Sequence, residues 1–329
     1  MSYTNGLDNP ELYFQVKLYT GNSSTQSITL GGDEDMQPDF VWMKARSDAG
    51  NHAVYDSVRG ATKRITSEDT SAESTVADGL LAFDSDGFSL GAGGNENSAT
   101  NVVAWCWKES ATAGFDIVAF AGQNGAVTNV SHSLSAVPEL IIAKDRDATS
   151  DWVVYHHTQG NGKFLVLDDT DAVADDANAW NETTPTSSVF TVGDNSYTNP
   201  GSRDMIFYLF APKQGFSKFG SYTGNGDADG TFVYTGFKPA WIMIKRTGSA
   251  QSWVMFDNKR NPFNLTDNIL FAHSSSAEQV DTTPNIDIVS NGWKIRHTDD
   301  SINGSESYIY MAFAEAPFVN SKGVPNNAR

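Results

Sequence analysis

The stretch Tyr222–Arg246, "YTGNGDADGTFVYTGFKPAWIMIKR", decides how the rest of the chain is interpreted. The letters "NGDADG", beginning at Asn225, have the spacing of the first half of a calcium-binding loop. Such a loop needs a bidentate Glu at its twelfth position, and that position is Gly236. The flanking segments are rich in β-branched and aromatic residues, so they predict strands where an EF-hand has helices. The calcium interpretation therefore fails.

The same turn and strand occur twice more in the chain. The letters "YTGN", "FAGQ" and "YTGN" begin at Tyr19, Phe120 and Tyr222, at intervals of 101 and 102 residues. Each leads to a proline and an apolar strand, in "PDFVWMKAR", "PELIIAKDR" and "PAWIMIKR". Two further positions keep the same register in all three copies: Lys44, Lys144 and Lys245, then His52, Trp152 and Trp253. Repetition of one unit explains the glycine-rich turn without a metal.

Each copy of about 100 residues contains six or seven short strands separated by Gly, Asn, Asp and Ser turns. This pattern predicts an all-β fold of three tandem antiparallel β-sandwich repeats of the jelly-roll or lectin-like type. The predicted division is an N-terminal docking segment 1–11, repeats 12–113, 114–214 and 215–318, and a C-terminal tail 319–329. We expect under ~10% helix. The span 168–182 is predicted to form a short helix or an acidic loop.

Composition limits the classes of function. The chain has 329 residues, 19% charged and 39% apolar, which is typical of a globular protein. Its formal charge of −18 argues against binding to nucleic acid. We find neither an apolar run of about 18 residues nor a signal peptide, so we expect synthesis in the cytoplasm and no membrane insertion. The single cysteine, Cys106, lies in an apolar strand and is expected to be buried.

Tryptophans divide into two groups. Trp42, Trp152, Trp241 and Trp253 lie at or beside aligned apolar strand positions and are predicted to be buried. Trp180 has no counterpart in the other copies and lies in the polar run "DDANAWNETTP". Trp180, with the neighbouring polar residues Asn181 and Asp176, is therefore the candidate contact for a glycan or a partner protein. The alternative is that Trp180 covers the second sandwich.

No known catalytic motif is present, and we predict no catalytic residue, cofactor or metal site. The pair Asp56–Arg59 recurs as Asp257–Arg260. Such a pair is either a ligand clamp or a structural ion pair at the end of a strand. Recurrence in diverged copies favours the structural role.

Several long motifs together resemble a known family: "NPELYFQ", "QPDFVWMKARS", "NHAVYDSVRGATKR", "FDSDGFSLG", "GFSKFGSYTGNG" and "YIYMAFAEAPF". They are similar to repeat-bearing virion proteins of tailed bacteriophages, especially phages of aquatic bacteria and cyanobacteria. The resemblance extends over nearly the whole chain. It implies a structural, tail-fibre-like role on the virion and brings no binding or catalytic residue with it.

The expected function is therefore that of a non-enzymatic virion surface protein, tail-fibre-like or adhesin-like. Its expected partners are other virion proteins, in tail or capsid, and a host-surface polysaccharide. We also expect it to be a homo-oligomer or to be present in many copies on the particle. Two alternatives stay open, a capsid decoration protein and a polysaccharide depolymerase, and the latter would need paired carboxylates on one face of a cleft.

Overall fold

The computed structural model describes residues 6–280 and 283–327. Within them the chain forms antiparallel strands and two 3-10 turns, Pro10–Leu12 and His157–Gln159. The predicted all-β, antiparallel class is confirmed, and the span 168–182 is a loop with one short strand. We refer to residues 12–113, 114–214 and 215–318 as units 1, 2 and 3.

Unit 1 contains nine strands: β1 (Phe14–Thr20), β2 (Gln26–Ile28), β3 (Phe40–Ala45), β4 (Ala53–Asp56), β5 (Lys63–Arg64), β6 (Ser74–Thr75), β7 (Leu80–Asp84), β8 (Gly87–Leu90) and β9 (Asn101–Trp107). The large sheet has the order β1-β9-β3-β4 and the small sheet the order β2-β8-β7, while β5 and β6 pair with each other.

Unit 2 contains β10 (Phe115–Gln123), β11 (Thr128–Ser131), β12 (Leu140–Asp145), β13 (Val153–His156), β14 (Lys163–Val166), β15 (Ala174–Asp175), β16 (Val189–Val192) and β17 (Gly201–Phe210). Its large sheet has the order β10-β17-β12-β13-β14-β15, and β11 pairs with β16 in the small sheet.

Unit 3 contains β18 (Ser217–Thr223), β19 (Phe232–Tyr234), β20 (Phe237–Arg246), β21 (Val254–Asp257), β22 (Leu270–Phe271), β23 (Ile286–Val289), β24 (Gly292–Ile295) and β25 (Ser307–Pro317). Its sheets have the orders β18-β25-β20-β21-β22 and β19-β24-β23. In all three units the first strand of the unit (β1, β10, β18) pairs with the last one (β9, β17, β25). The last strand also pairs with the strand at the repeated proline (β3, β12, β20).

The glycine of the repeated turn is required by a close approach of two backbone segments. A Cβ on Gly21, Gly122 or Gly224 would collide with a backbone carbonyl oxygen of the facing loop. In unit 3 that loop contains the buried Asn303, whose Oδ1 accepts from the backbone N–H of Asn225 at 3.2 Å. Asn97 and Asn199 make the corresponding bond in units 1 and 2. A buried amide therefore fixes the turn in each unit.

The three large sheets bury one face in a common core. This cluster takes tryptophans from every unit, and Trp42, Trp152, Trp241 and Trp253 are all at most 3% exposed, as predicted. Trp241 packs against Trp107 with ring centroids 5.5 Å apart. The opposite faces pack against the small sheets and form three separate outer cores, one in each unit, and that of unit 1 includes the buried Cys106. Each unit is thus a sandwich that shares its inner side with the other two.

Equivalent hydrogen bonds join the units in a closed ring. The indole N–H of Trp152 donates to the Thr66 carbonyl of unit 1 at 2.8 Å. The indole of Trp253 donates to Val166 of unit 2 at 2.8 Å. The third bond, between His52 Nε2 and the carbonyl of Phe271 at 3.1 Å, joins unit 1 to unit 3. We call these contacts junctions 1–2, 2–3 and 3–1.

Candidate functional site

The indole ring of Trp180 is not exposed, although it lies in a polar segment. Trp180 is 2% exposed, and its ring packs edge-on against Tyr155 at 5.6 Å between centroids. One carboxylate oxygen of Asp176 accepts from the Asn195 amide at 2.7 Å, and Asn181 is half-buried. Trp180 lacks a counterpart because it covers the outer core of unit 2, which corrects its prediction as a glycan or partner contact.

The two recurring Asp–Arg pairs are structural ion pairs. The side chains of Asp56, Arg59, Asp257 and Arg260 are all fully buried. Arg59 also donates to the carbonyls of Lys63 and Val54, so its guanidinium is used within the fold. A ligand clamp at either pair would need an accessible guanidinium, which neither pair offers.

Residues 6–280 and 283–327 contain no group of three His, Cys, Asp or Glu side chains arranged to hold a metal ion. The letters "NGDADG" form successive Asx turns, in which Asp227 N–H donates to Asn225 Oδ1 at 3.0 Å and Asp229 N–H to Asp227 Oδ1 at 2.9 Å. Asp229 also pairs with Lys294 at 2.7 Å, and the bond from this ammonium lowers the pKa of the Asp229 carboxyl. Backbone N–H groups and a lysine thus use these oxygens.

An exposed aromatic surface lies on the small sheet of unit 3. Strand β19 places Val233 against the outer core beside Trp293, with which it is in register. Because successive side chains of a strand point to opposite faces, the two neighbours of Val233 face outward. These neighbours, Phe232 and Tyr234, are 45% and 53% exposed. Their rings lie on one face, roughly 6.6–6.8 Å apart along the strand.

The other two units carry small polar side chains at the matching place. The core aromatics Trp293, Phe88 and Phe190 pair with Val233, Ile28 and Val130 in the three small sheets. The residue before each of these partners is Phe232 in unit 3, Ser27 in unit 1 and Asn129 in unit 2. Ser27 faces Ser89 across the small sheet, and the Asn129 amide accepts from Thr191 at 2.8 Å. The exposed rings are therefore a feature of unit 3 that its sandwich framework does not require.

Two more exposed apolar side chains lie at the other edge of this small sheet, where β24 separates β23 from β19. Phe263, 76% exposed, and Leu265, 46% exposed, flank Asn264, whose amide exchanges hydrogen bonds of 2.9 and 3.0 Å with the Ile288 backbone of β23. We call Phe232 and Tyr234 the aromatic face. Large exposed apolar groups that cluster on one sheet mark sites of interaction.

A cleft of about 380 Å³ adjoins the aromatic face at Tyr234. It lies where unit 2 meets unit 3, between Pro212, the start of β18, and the turn after β19, with Phe318 on the C-terminal side. Lys218 lines it and donates to the Tyr234 carbonyl at 2.7 Å, with its ammonium 5.3 Å from the centre of the Tyr234 ring. Partial burial lowers the pKa of Lys218, and the Glu139 carboxylate acts in the opposite direction.

Equivalent places exist at the other two junctions. At junction 3–1 a cleft of about 300 Å³ is lined by the corresponding elements and includes Gln15, Lys17 and Glu315. At junction 1–2 the residue in register with Lys218 is Asp116, which is 4% exposed and accepts from the Ser133 N–H. The three junctions therefore place different side chains in one repeated setting.

The depolymerase alternative needs a pair of carboxylates, and Glu109 and Asp116 are an adjacent pair. Burial, together with the adjacent Asp116 carboxyl, raises the pKa of Glu109 to about 7. Both side chains accept backbone N–H groups, from Ile117 and Ser133, in the packed junction 1–2. They therefore stabilise this junction, and neither lines the 380 or the 300 Å³ cleft.

Sequence reasoning missed the aromatic face, although a signal for it was present. In "TFVYTGF" the aligned core position is Val233, so its two aromatic neighbours have to face outward. The segment 1–11 proposed for docking is partly packed onto the fold: Leu7 is buried in the common core, and Asp8 accepts from the Ser321 N–H at 2.8 Å. Residues 1–5 lie outside the described residues.

Residues 9–317 match the family described as Domain of unknown function (DUF7483), and the chain belongs to this family. The match includes all three units, which agrees with their common core. No curated protein matches the sequence. In the part of the chain that the structure describes, no helix is long and apolar enough to cross a membrane.

Proposed function

We propose that this protein is a non-enzymatic surface protein of a tailed-bacteriophage particle, held there by other virion proteins, that binds host-surface polysaccharide through unit 3. The observation that carries the adhesive role is the exposure of Phe232 and Tyr234 on one face of β19, where units 1 and 2 have Ser27 and Asn129. Flat aromatic rings offer the apolar face of a sugar a large contact area at a low cost in side-chain entropy.

Three further facts support this role. The proteins that the sequence motifs resemble are virion components, which supports a position on a particle surface. The charge of −18 keeps such a surface soluble and opposes adhesion to DNA. Polar and charged groups surround the aromatic face, including the ion pair of Arg296 with Asp287 at 2.5 Å, and sugar hydroxyls need such hydrogen-bonding partners.

Retention on immobilised host polysaccharide tests the proposal. The double variant Phe232→Ser, Tyr234→Ser, which gives unit 3 small polar side chains like those of unit 1, should lose most of its retention and keep its melting temperature. The matched control Ser27→Ala, Asn129→Ala changes the corresponding positions of units 1 and 2 and should be retained like the unmodified protein.

Three results would contradict the proposal. Full retention of the double variant would remove the aromatic face from the function. Shortening of the polysaccharide with turnover would make the protein a depolymerase. Incorporation of hundreds of copies into phage heads, without retention on polysaccharide, would make it a capsid decoration protein.

A further inference from the structure

The three junctions differ in the charge of their equivalent places, two of which are clefts. The cleft at junction 3–1 is lined by two glutamates, Glu11 and Glu315, and by two lysines, Lys17 and Lys259, so the charges balance. Junction 1–2 has the two carboxylates Glu109 and Asp116 instead. The cleft at junction 2–3 has a different composition.

Among the residues described, the lining of the junction 2–3 cleft includes one lysine, Lys218, and no carboxylate. The remaining lining is uncharged and includes the apolar or aromatic residues Pro212, Tyr234, Phe318 and Val319 and the polar Gln214. An ammonium group has three N–H donors, and the donor to the Tyr234 carbonyl is one of them. The cleft thus combines a cation with an aromatic wall.

We propose that this cleft binds a single sugar residue that carries a carboxylate, as in an acidic polysaccharide, with Tyr234 against the ring and Lys218 beside the carboxylate. This inference rests on the proposed polysaccharide binding and specifies its ligand class. A volume of about 380 Å³ lies within the ~300–1,000 Å³ of ordinary ligand pockets, so it suits one sugar unit.

The position of the cleft is consistent with a polymeric ligand. Tyr234 belongs both to the cleft and to the aromatic face, so a chain with one residue in the cleft continues over Phe232. The net charge of −18 repels a polyanion at long range. At physiological ionic strength the Debye length is ~8 Å, which screens the distant carboxylates, and the nearby Glu139 lies outside the cleft lining, so Lys218 is the charge at the point of contact.

Binding is measured at physiological ionic strength with two probes, alginate and polygalacturonate, and with the same polymers after reduction of their carboxyl groups. We expect binding to at least one native polymer and at least tenfold weaker binding to its reduced form. Lys218→Gln should weaken binding to the native polymer roughly tenfold, because a hydrogen bond to a charged group is lost. Lys218→Arg should restore it.

Lys17→Gln is the matched control. Like Lys218, Lys17 donates to a backbone carbonyl near the end of the second strand of its unit, that of Leu30 at 3.1 Å. Lys17 also lines the equivalent cleft at junction 3–1. The Lys17→Gln variant should bind the native polymer as tightly as the unmodified protein does. Melting temperatures of all variants identify any loss of folding.

Two negative outcomes are distinguishable. If native and reduced polymers bind equally and only the Phe232→Ser, Tyr234→Ser variant loses binding, the acidic ligand is wrong and the proposed function stands. If neither acidic polymer binds while host polysaccharide is retained, the ligand class is also wrong. If no polysaccharide of any kind is retained, both proposals fail.

Discussion

Among the described residues, junctions 1–2 and 3–1 each contain a charge network with a buried centre, and junction 2–3 does not. At junction 1–2, Arg59 pairs with Asp56, and Glu73 bridges Arg59 at 3.3 Å to Arg146 of unit 2 at 3.0 Å. The Asp56 carboxylate also accepts from the hydroxyl of Tyr208 at 2.7 Å. Each charge in this network therefore has a partner in its own unit or in the next one.

Junction 3–1 repeats the arrangement with other residues. Arg260 pairs with Asp257, and Glu278 bridges Arg260 at 3.2 Å to Arg46 of unit 1 at 2.7 Å. The Asp257 carboxylate accepts from the indole of Trp105 at 3.1 Å. The same geometry thus serves two junctions with different hydrogen-bond donors from the neighbouring unit.

Junction 2–3 has His156, Gln159 and Val173 at the aligned positions. It keeps the backbone bond between units, in which Val173 N–H donates to Thr247 O at 3.0 Å. In the same way, the backbone N–H groups of Glu73 and Glu278 donate to the backbone carbonyls of Arg146 and Arg46, both at 2.8 Å. Backbone hydrogen bonds and the common core therefore hold the three units together at every junction. The charge network is an additional interaction at two of the three junctions.

The largest expected effect comes from breaking the network at its centre. Arg59→Ala and Arg260→Ala each leave a fully buried aspartate without its cation, which should lower the free energy of unfolding by about 3–5 kcal/mol. Gln159→Ala, at the aligned position of junction 2–3, should change it by less than about 0.5 kcal/mol. Urea denaturation, fitted with one m-value for all proteins, measures the free energy of unfolding of the three variants. A loss below 1 kcal/mol in Arg59→Ala would show that the network is not important for stability.

The second effect depends on pH and concerns the histidine that replaces an aspartate at junction 2–3. Burial, together with the neighbouring His157, lowers the pKa of His156 to about 3, although a bond to the Tyr310 carbonyl opposes the shift. The ordinary pKa of histidine is ~6.5, so the unfolded chain takes up the proton first. His156 therefore costs no stability above pH ~6.5, and stability is lost progressively as the pH falls from there toward 3.

Between pH 7 and pH 5 this loss amounts to about 2 kcal/mol. His156→Gln should remove it, so the unmodified protein should lose about 2 kcal/mol more than the variant over this interval. The comparison cancels the opposite contributions of Glu68 and Glu109, whose pKa values burial raises to about 7. Parallel stability curves for the two proteins between pH 5 and 7 would contradict the assignment.

Much of the fold could be predicted from the sequence because repetition reveals equivalent positions. The aligned lysines are an example: all three are buried, each donates to a backbone carbonyl, and burial lowers each pKa to about 8 (Lys44, Lys144 and Lys245). The arrangement of the units in a ring could not be predicted. It depends on contacts such as that of Tyr208 with Asp56, which join positions 152 residues apart and differ in each copy.

The candidate site was less predictable for a related reason. Exposure of a side chain depends on which face of its strand is covered, and local polarity is a poor guide to this. Trp180 lies in a polar segment but is buried, whereas Phe232 lies in an apolar strand but is exposed. The charge difference between the clefts also depends on three elements that are distant in sequence and meet only at the junctions.

The smallest expected effect concerns the outer arms of the two networks. Arg46 and Arg146 are 20% and 19% exposed, so solvent screens their pairs with Glu278 and Glu73 more than it screens the inner arginines. Arg46→Gln and Arg146→Gln should each lower the free energy of unfolding by about 0.5–1 kcal/mol, the upper range for exposed pairs. The double variant should show the sum of the two losses, because the residues belong to different junctions. A loss above 2 kcal/mol in either single variant, or strong coupling in the double variant, would show that the two junctions behave as one network around the ring.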